Sequence, residues 1–143
     1  MRPKSIILAG FILLLIANIA YSADFSIQPP PQSMDKFYSE PGKTSEWIEQ
    51  MRQISKSFGA TIISRDKKKW EKALKHAKKF GLAYKKASEM VPEWKDLFDL
   101  EASELFVASI QSQDTEKIKS FIGKVKKTCS QCHRKHNISV WTR

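Results

Sequence analysis

At 143 residues, 41% of them apolar, the chain is long enough for one domain with a substantial core and too short for two. Its 25 Lys and Arg against 15 Asp and Glu leave a net charge of +10, which favours an acidic partner surface and says nothing of the fold. Only two cysteines are present, which excludes a disulfide-stapled miniprotein, and with five glycines, six prolines and few β-branched runs an all-β sandwich is disfavoured.

Arg2 and Lys4 precede an apolar run over residues 6–20, and Ala20 and Ser22 place small residues at the −3 and −1 positions of a cut after Ser22. This is the pattern of a secretory signal peptide over residues 1–22. An uncleaved anchor is the alternative, although the run falls short of the roughly 20 apolar residues that a membrane span needs. No cysteine lies near the cut, so a lipid anchor is not indicated. The expected mature chain begins near Ala23, has no stable membrane span and is exported to the periplasm. It loses only Arg2 and Lys4 among its charges and stays strongly basic.

Residues 23–43 hold Pro29, Pro30, Pro31, Pro41 and Gly42 among polar neighbours, a composition expected to form an extended leader. Residues 44–143 are the expected folded domain, in which four segments repeat the helical period and none shows strand alternation. The first, α1 (about 44–64), carries Trp47, Met51, Ile54, Phe58 and Ile62 on one stripe. The second, α2 (about 66–91), turns Trp70, Leu74, Ala77, Phe80 or Gly81, Tyr84 and Val91 inward and is stopped by Pro92. The third, α3 (about 92–113), starts on that proline and directs Trp94, Leu97, Phe98, Ala102, Leu105, Phe106 and Ser109 to the core. Asp114 is a good N-cap for α4, whose stripe of Ile118, Phe121, Ile122 and Val125 continues into Cys129 and Cys132. Short connections between four amphipathic helices predict an all-α, antiparallel up-down-up-down four-helix bundle; a coiled-coil oligomer is the alternative.

Cys129-Ser130-Gln131-Cys132-His133 is a C-x-x-C-H sequence, the attachment pattern of c-type haem. On a helix, two cysteines three apart can both reach the vinyl positions along one haem edge. His133, four residues after Cys129, lies on the same face as a proximal iron ligand. Three other readings compete. A thioredoxin-type pair belongs at a helix start after a strand, and this one follows several turns of helix. A zinc site from Cys129, Cys132, His133 and His136 asks one short helical stretch to surround a tetrahedral ion. A plain Cys129–Cys132 disulfide is chemically idle.

A helical bundle whose last helix ends in C-x-x-C-H resembles cytochrome c′ and its low-spin relatives, over residues 44–137. Asp114 opening α4, the run Lys127-Thr128-Cys129-Ser130-Gln131-Cys132-His133 closing it, and the stretch 102–108 are similar to that family's phrasing. The resemblance implies one covalent haem c near the carboxyl end, with His133 on one face. It also implies that the residue eight positions before a glycine on the first helix meets the other face. Here Gly59 puts Met51 in that place, so the resemblance implies a methionine sixth ligand. The residue pattern agrees on location, since Met51 sits mid-stripe on α1, where ordinary packing is its plain alternative. Met90, at a helix end, and Met34, in the leader, are less well placed. The chain departs from the family in having His136 and Asn137 after the motif, where an aromatic residue and an arginine are usual. It departs again at Trp47, where several relatives have an arginine near a haem propionate. His136 is expected to be partly exposed at a fraying helix end, and His76 to be solvated beside lysines.

Lys67, Lys68, Lys69, Lys72, Lys75, Lys78, Lys79, Lys85 and Lys86 load α2 and its start, and Lys117, Lys119, Lys124, Lys126, Lys127, Arg134 and Lys135 load α4. Such runs are often merely solvated; the functional reading is steering toward redox partner proteins with an acidic docking surface. Anionic lipid headgroups are another possible partner. An exported chain without a recognition motif is not expected to bind nucleic acid. The leading expectation is a soluble electron carrier. The alternative is a five-coordinate haem protein binding nitric oxide or carbon monoxide. A catalytic haem lacks an identifiable acid–base pair, so the chain is not expected to be an enzyme. The resemblance also implies pairing of two copies through helix faces.

Overall fold

The computed structural model describes residues 28–37 and 44–136. The expected signal peptide over residues 1–22, Pro41 and Gly42 of the leader, and Asn137 lie outside the described residues. The described chain is all-helical: a 3-10 turn at Gln32–Phe37, α1 at Glu46–Asp66, α2 at Trp70–Met90, a second 3-10 turn at Pro92–Leu97, α3 at Leu100–Gln111 and α4 at Thr115–His136. None of these helices is long and apolar enough to cross a membrane.

Helix boundaries follow local chemistry. Glu46 and Glu49 occupy the first turn of α1, where the helix dipole favours negative charge. That helix ends in a tight reversal in which Lys68 takes φ 55° and the Lys69 N–H donates back to the Ser64 carbonyl at 2.8 Å. The same device closes α3, with Gln113 at φ 56° and the Asp114 N–H donating to the Ser109 carbonyl. Asp114 then caps α4 as expected, its carboxylate accepting the Lys117 N–H at 3.1 Å. Pro92 ends α2 as expected, because it has no N–H to give and disfavours a helical residue before it.

Three expectations are corrected. The single helix over 92–113 is two pieces: the chain is extended at Phe98 (φ −101°, ψ 111°), and Asp99 starts a new helix by accepting the Ala102 N–H at 2.9 Å. The break resets the helical phase, so α3 buries Ala102, Ser103, Phe106, Ser109 and Ile110 and leaves Leu105 42% exposed. On α1 the buried stripe is shifted from the expected one, running through Trp47, Gln50, Ile54, Ser57, Thr61 and Ser64, with Met51, Phe58 and Ile62 only half-buried. Gln50, Ser57 and Thr61 can occupy it because each is satisfied locally or across the interface. Ser57 Oγ donates to the Gln53 carbonyl at 2.6 Å, Thr61 Oγ1 to the Ser57 carbonyl at 2.8 Å, and Gln50 Nε2 to the Ala83 carbonyl of α2 at 2.7 Å.

The third correction concerns the leader. Rather than running free as an extended arm, residues 32–37 coil into a 3-10 turn that inserts Met34, fully buried, into the core and lays Phe37 against Trp47 at 6.4 Å between rings. Gln28 N–H also donates to the Lys135 carbonyl at 3.0 Å, tying the leader to the end of α4. Met34→Ala is therefore expected to cost about 2–5 kcal/mol, read as a fall in denaturation midpoint. A detached arm would leave the midpoint unmoved.

The core has two aromatic centres. Phe58, Phe80 and Phe106, one from each of the first three helices, meet with ring centroids 5.2 to 5.6 Å apart. Nearer the pocket described below, Trp47 and Trp94 pack at 5.4 Å. Such pairs add about 0.5–1.5 kcal/mol each beyond the area they bury. The most extensive helix contacts are between α1 and α2; α4 packs mainly along α3.

Candidate functional site

The last three turns of α4 carry Thr128, Cys129, Cys132 and His133 on one face, as the helical period requires. Opposite them stand Trp47, Met51 and Ile54 of α1, Tyr84 of α2, and Leu97 and Phe98 from the break before α3. Together these ten residues line a narrow, nearly apolar pocket of about 40 Å³. Both motif cysteines, the motif histidine and Met51 thus face one space, though Met51 is remote from the others in sequence. Met34 and Met90, the other methionines weighed, are buried in the core and do not line it.

The electrostatics of the pocket follow from its dryness. Burial raises the Cys129 thiol above its ordinary range. Cys132 is pushed up to about 11, by burial first and by Cys129 second. Tyr84 is raised to about 12, again by burial and then by Cys129, while the nearby Asp99 amide tempers the shift. The sign is the same throughout: neutral forms are favoured and anions disfavoured. A thioredoxin-type cysteine needs the reverse, a thiolate stabilised at a helix start, and these thiols sit near a helix end. Both stand as free, half-buried thiols rather than a disulfide. Among the described residues no three His, Cys, Asp or Glu side chains gather as metal ligands, so the zinc reading has no geometry behind it.

No protein-family model, curated protein or solved structure matches this chain. The site therefore rests on its own residues. His133 lies at the pocket and is also exposed, so its imidazole has room to turn. Trp47 Nε1 and Tyr84 Oη are buried, and neither donates a hydrogen bond among the described residues. Buried donors left this way are costly, and a polar group brought into the pocket satisfies them. In kind and position the donor set suits a covalently held haem: two thiols on one helix face, an imidazole beside them, a thioether opposite and two unspent donors in the wall. The space itself is small, since sites for ligands of that class span roughly 300–1,000 Å³. Admission of a macrocycle requires these walls to part, and with them the contacts that hold this end of α4, the Gln28 N–H on the Lys135 carbonyl and His136 on Trp94.

Two histidines behave differently from expectation or lie elsewhere. His136 is not at an exposed fraying end: it is 3% exposed and stacks on Trp94 at 4.7 Å between ring centroids. Burial lowers its pKa. The leader covers this end of α4, which the motif alone could not reveal. His76 is half-buried on α2 and does not line the pocket. Ile54, Tyr84, Leu97 and Phe98 were legible as inward residues, but nothing in their spacing marked them as walls of this pocket. The lysines of α2 and α4 are exposed, as their periodicity suggests.

Proposed function

We propose that the chain is an exported, monohaem c-type cytochrome that carries electrons, built as an antiparallel up-down-up-down four-helix bundle. Cys129 and Cys132 would hold the haem c as thioethers, with His133 as the proximal and Met51 as the distal residue that would ligate its iron. The observation that carries this reading is the meeting of Met51 with Cys129, Cys132 and His133 in one apolar pocket. Bound haem iron supplies reversible one-electron chemistry.

The chain's own residues do the rest. The two cysteines, one helical turn apart, fix position and orientation. His133 supplies a basic nitrogen from a side chain free enough to rotate. Met51 reaches across from α1, and its soft sulfur favours the reduced state, which raises the reduction potential. Phe98, Leu97 and Ile54 exclude water, and a dry pocket limits solvent rearrangement on transfer. Trp47 Nε1 and Tyr84 Oη are the donors able to receive a polar group there.

The test is to express the chain with a haem-ligation machinery and weigh the product. The expected mass is that of the polypeptide plus one haem, with neither thiol available to an alkylating reagent. A bare polypeptide with both thiols free overturns the reading.

A further inference from the structure

Residues of α2 and α3 line an open groove of about 670 Å³. Its floor lies at Gly81, where an added Cβ would touch Val107 at 3.4 Å. Leu82 stands at its edge, 73% exposed, a large apolar side chain offered to water. Lys78 and Lys85, one turn to either side of Leu82 on the same helix face, form one rim. Neither belongs to the ion pairs among the described residues. Glu104 is the one acidic side chain of the lining, so its net charge is positive.

The groove and the haem pocket are lined by residues close in the chain. Tyr84 lines the pocket and its neighbour Lys85 the groove; Phe98 lines the pocket and Leu100 the groove. The rings of Tyr84 and Phe98 meet edge to face, 5.0 Å between centroids.

We propose that this groove is the docking face for an acidic redox protein, which sets carboxylates against Lys78 and Lys85 and an apolar side chain against Leu82. The inference rests on the haem reading above and gives it a point of electron entry. Charge selects the occupant: two copies of the mature chain, each at +8 once Arg2 and Lys4 are lost (23 Lys and Arg against 15 Asp and Glu), repel one another, whereas an acidic protein is attracted over about a Debye length. Leu82 supplies the apolar contact that holds the encounter once steering has delivered it.

The test uses the haem-loaded chain and reduced flavodoxin, a small acidic flavoprotein, as the probe, mixed at low and high ionic strength. Lys78→Glu with Lys85→Glu is expected to slow second-order electron transfer about tenfold or more at low salt and to flatten its salt dependence. The charge-matched control, Lys67→Glu in the turn before α2 with Lys72→Glu in its first turn, should retain most of the rate. Leu82→Ser should weaken docking several-fold while leaving the salt slope intact. Equal slowing by both charge pairs, or by neither, overturns the groove while leaving the haem reading standing. So does a dimer that Leu82→Ser converts to monomer, which would make the groove a self-interface. A chain that takes up no haem overturns both.

Discussion

Met51→Ala is expected to convert the haem-loaded protein from a low-spin to a high-spin spectrum. Its reduction potential should fall by on the order of 0.1 V or more, within the roughly 0.8 V that axial ligands command. The reason is the position of Met51 on α1, across the pocket from His133: without its sulfur no other methionine of the described residues lines the pocket, since Met34 and Met90 lie elsewhere in the core. Met51 is only half-buried, so its truncation should leave the fold intact, and the reduced variant should gain binding of carbon monoxide. Absorption and electron paramagnetic resonance spectra of the oxidised protein check this directly. A low-spin spectrum untouched by the substitution assigns the sixth position to another residue. A wild-type protein already high-spin, with carbon monoxide binding fast and tight, favours the gas-binding alternative, with Met51 as a shield.

For stability, the largest single effect is expected at Phe106. Fully buried, it closes the ring cluster with Phe58 at 5.5 Å and Phe80 at 5.6 Å, so Phe106→Ala removes contacts to two other helices and leaves a cavity. The expected cost is about 3–5 kcal/mol, a large part of the roughly 5–15 kcal/mol that holds a domain of this size. Leu105, its neighbour, is the control: 42% exposed, it should cost well under about 1 kcal/mol on truncation to alanine. Denaturant titration of the two variants checks the contrast, with the midpoint of Phe106→Ala strongly lowered at similar slope. Equal costs would mean that the expected helical phase, unbroken at Phe98, describes α3 after all.

Much of α2 and α4 was legible because their signals are local. Pro92 stops α2 for reasons contained in one residue, Asp114 caps α4 through an N–H three residues away, and Ile118, Phe121 and Val125 recur at the period of the helix that buries them. Helix α1 was harder. Apolarity alone places Met51, Phe58 and Ile62 at the centre of its stripe, whereas Gln50, Ser57 and Thr61 are buried in their stead. A hydroxyl bonded to its own helix carbonyl, or an amide reaching Ala83 of the next helix, is invisible to a count of hydrophobic positions. The leader misled for a related reason: three consecutive prolines suit extended chain, yet the turn after them lodges Met34 in the core.

The sequence by itself determined the helical class and the grouping of Cys129, Cys132 and His133 on one helix face, because both depend on residues within a turn or two of one another. Only the tertiary structure decided which of the methionines shares their pocket, that Tyr84 and Phe98 wall it, and that residues of α2 and α3 line a basic groove. Those are relations between helices far apart in the chain. They are set when all the stripes are buried at once, and the break at Phe98 and the buried polar face of α1 decide how the helices are turned toward one another.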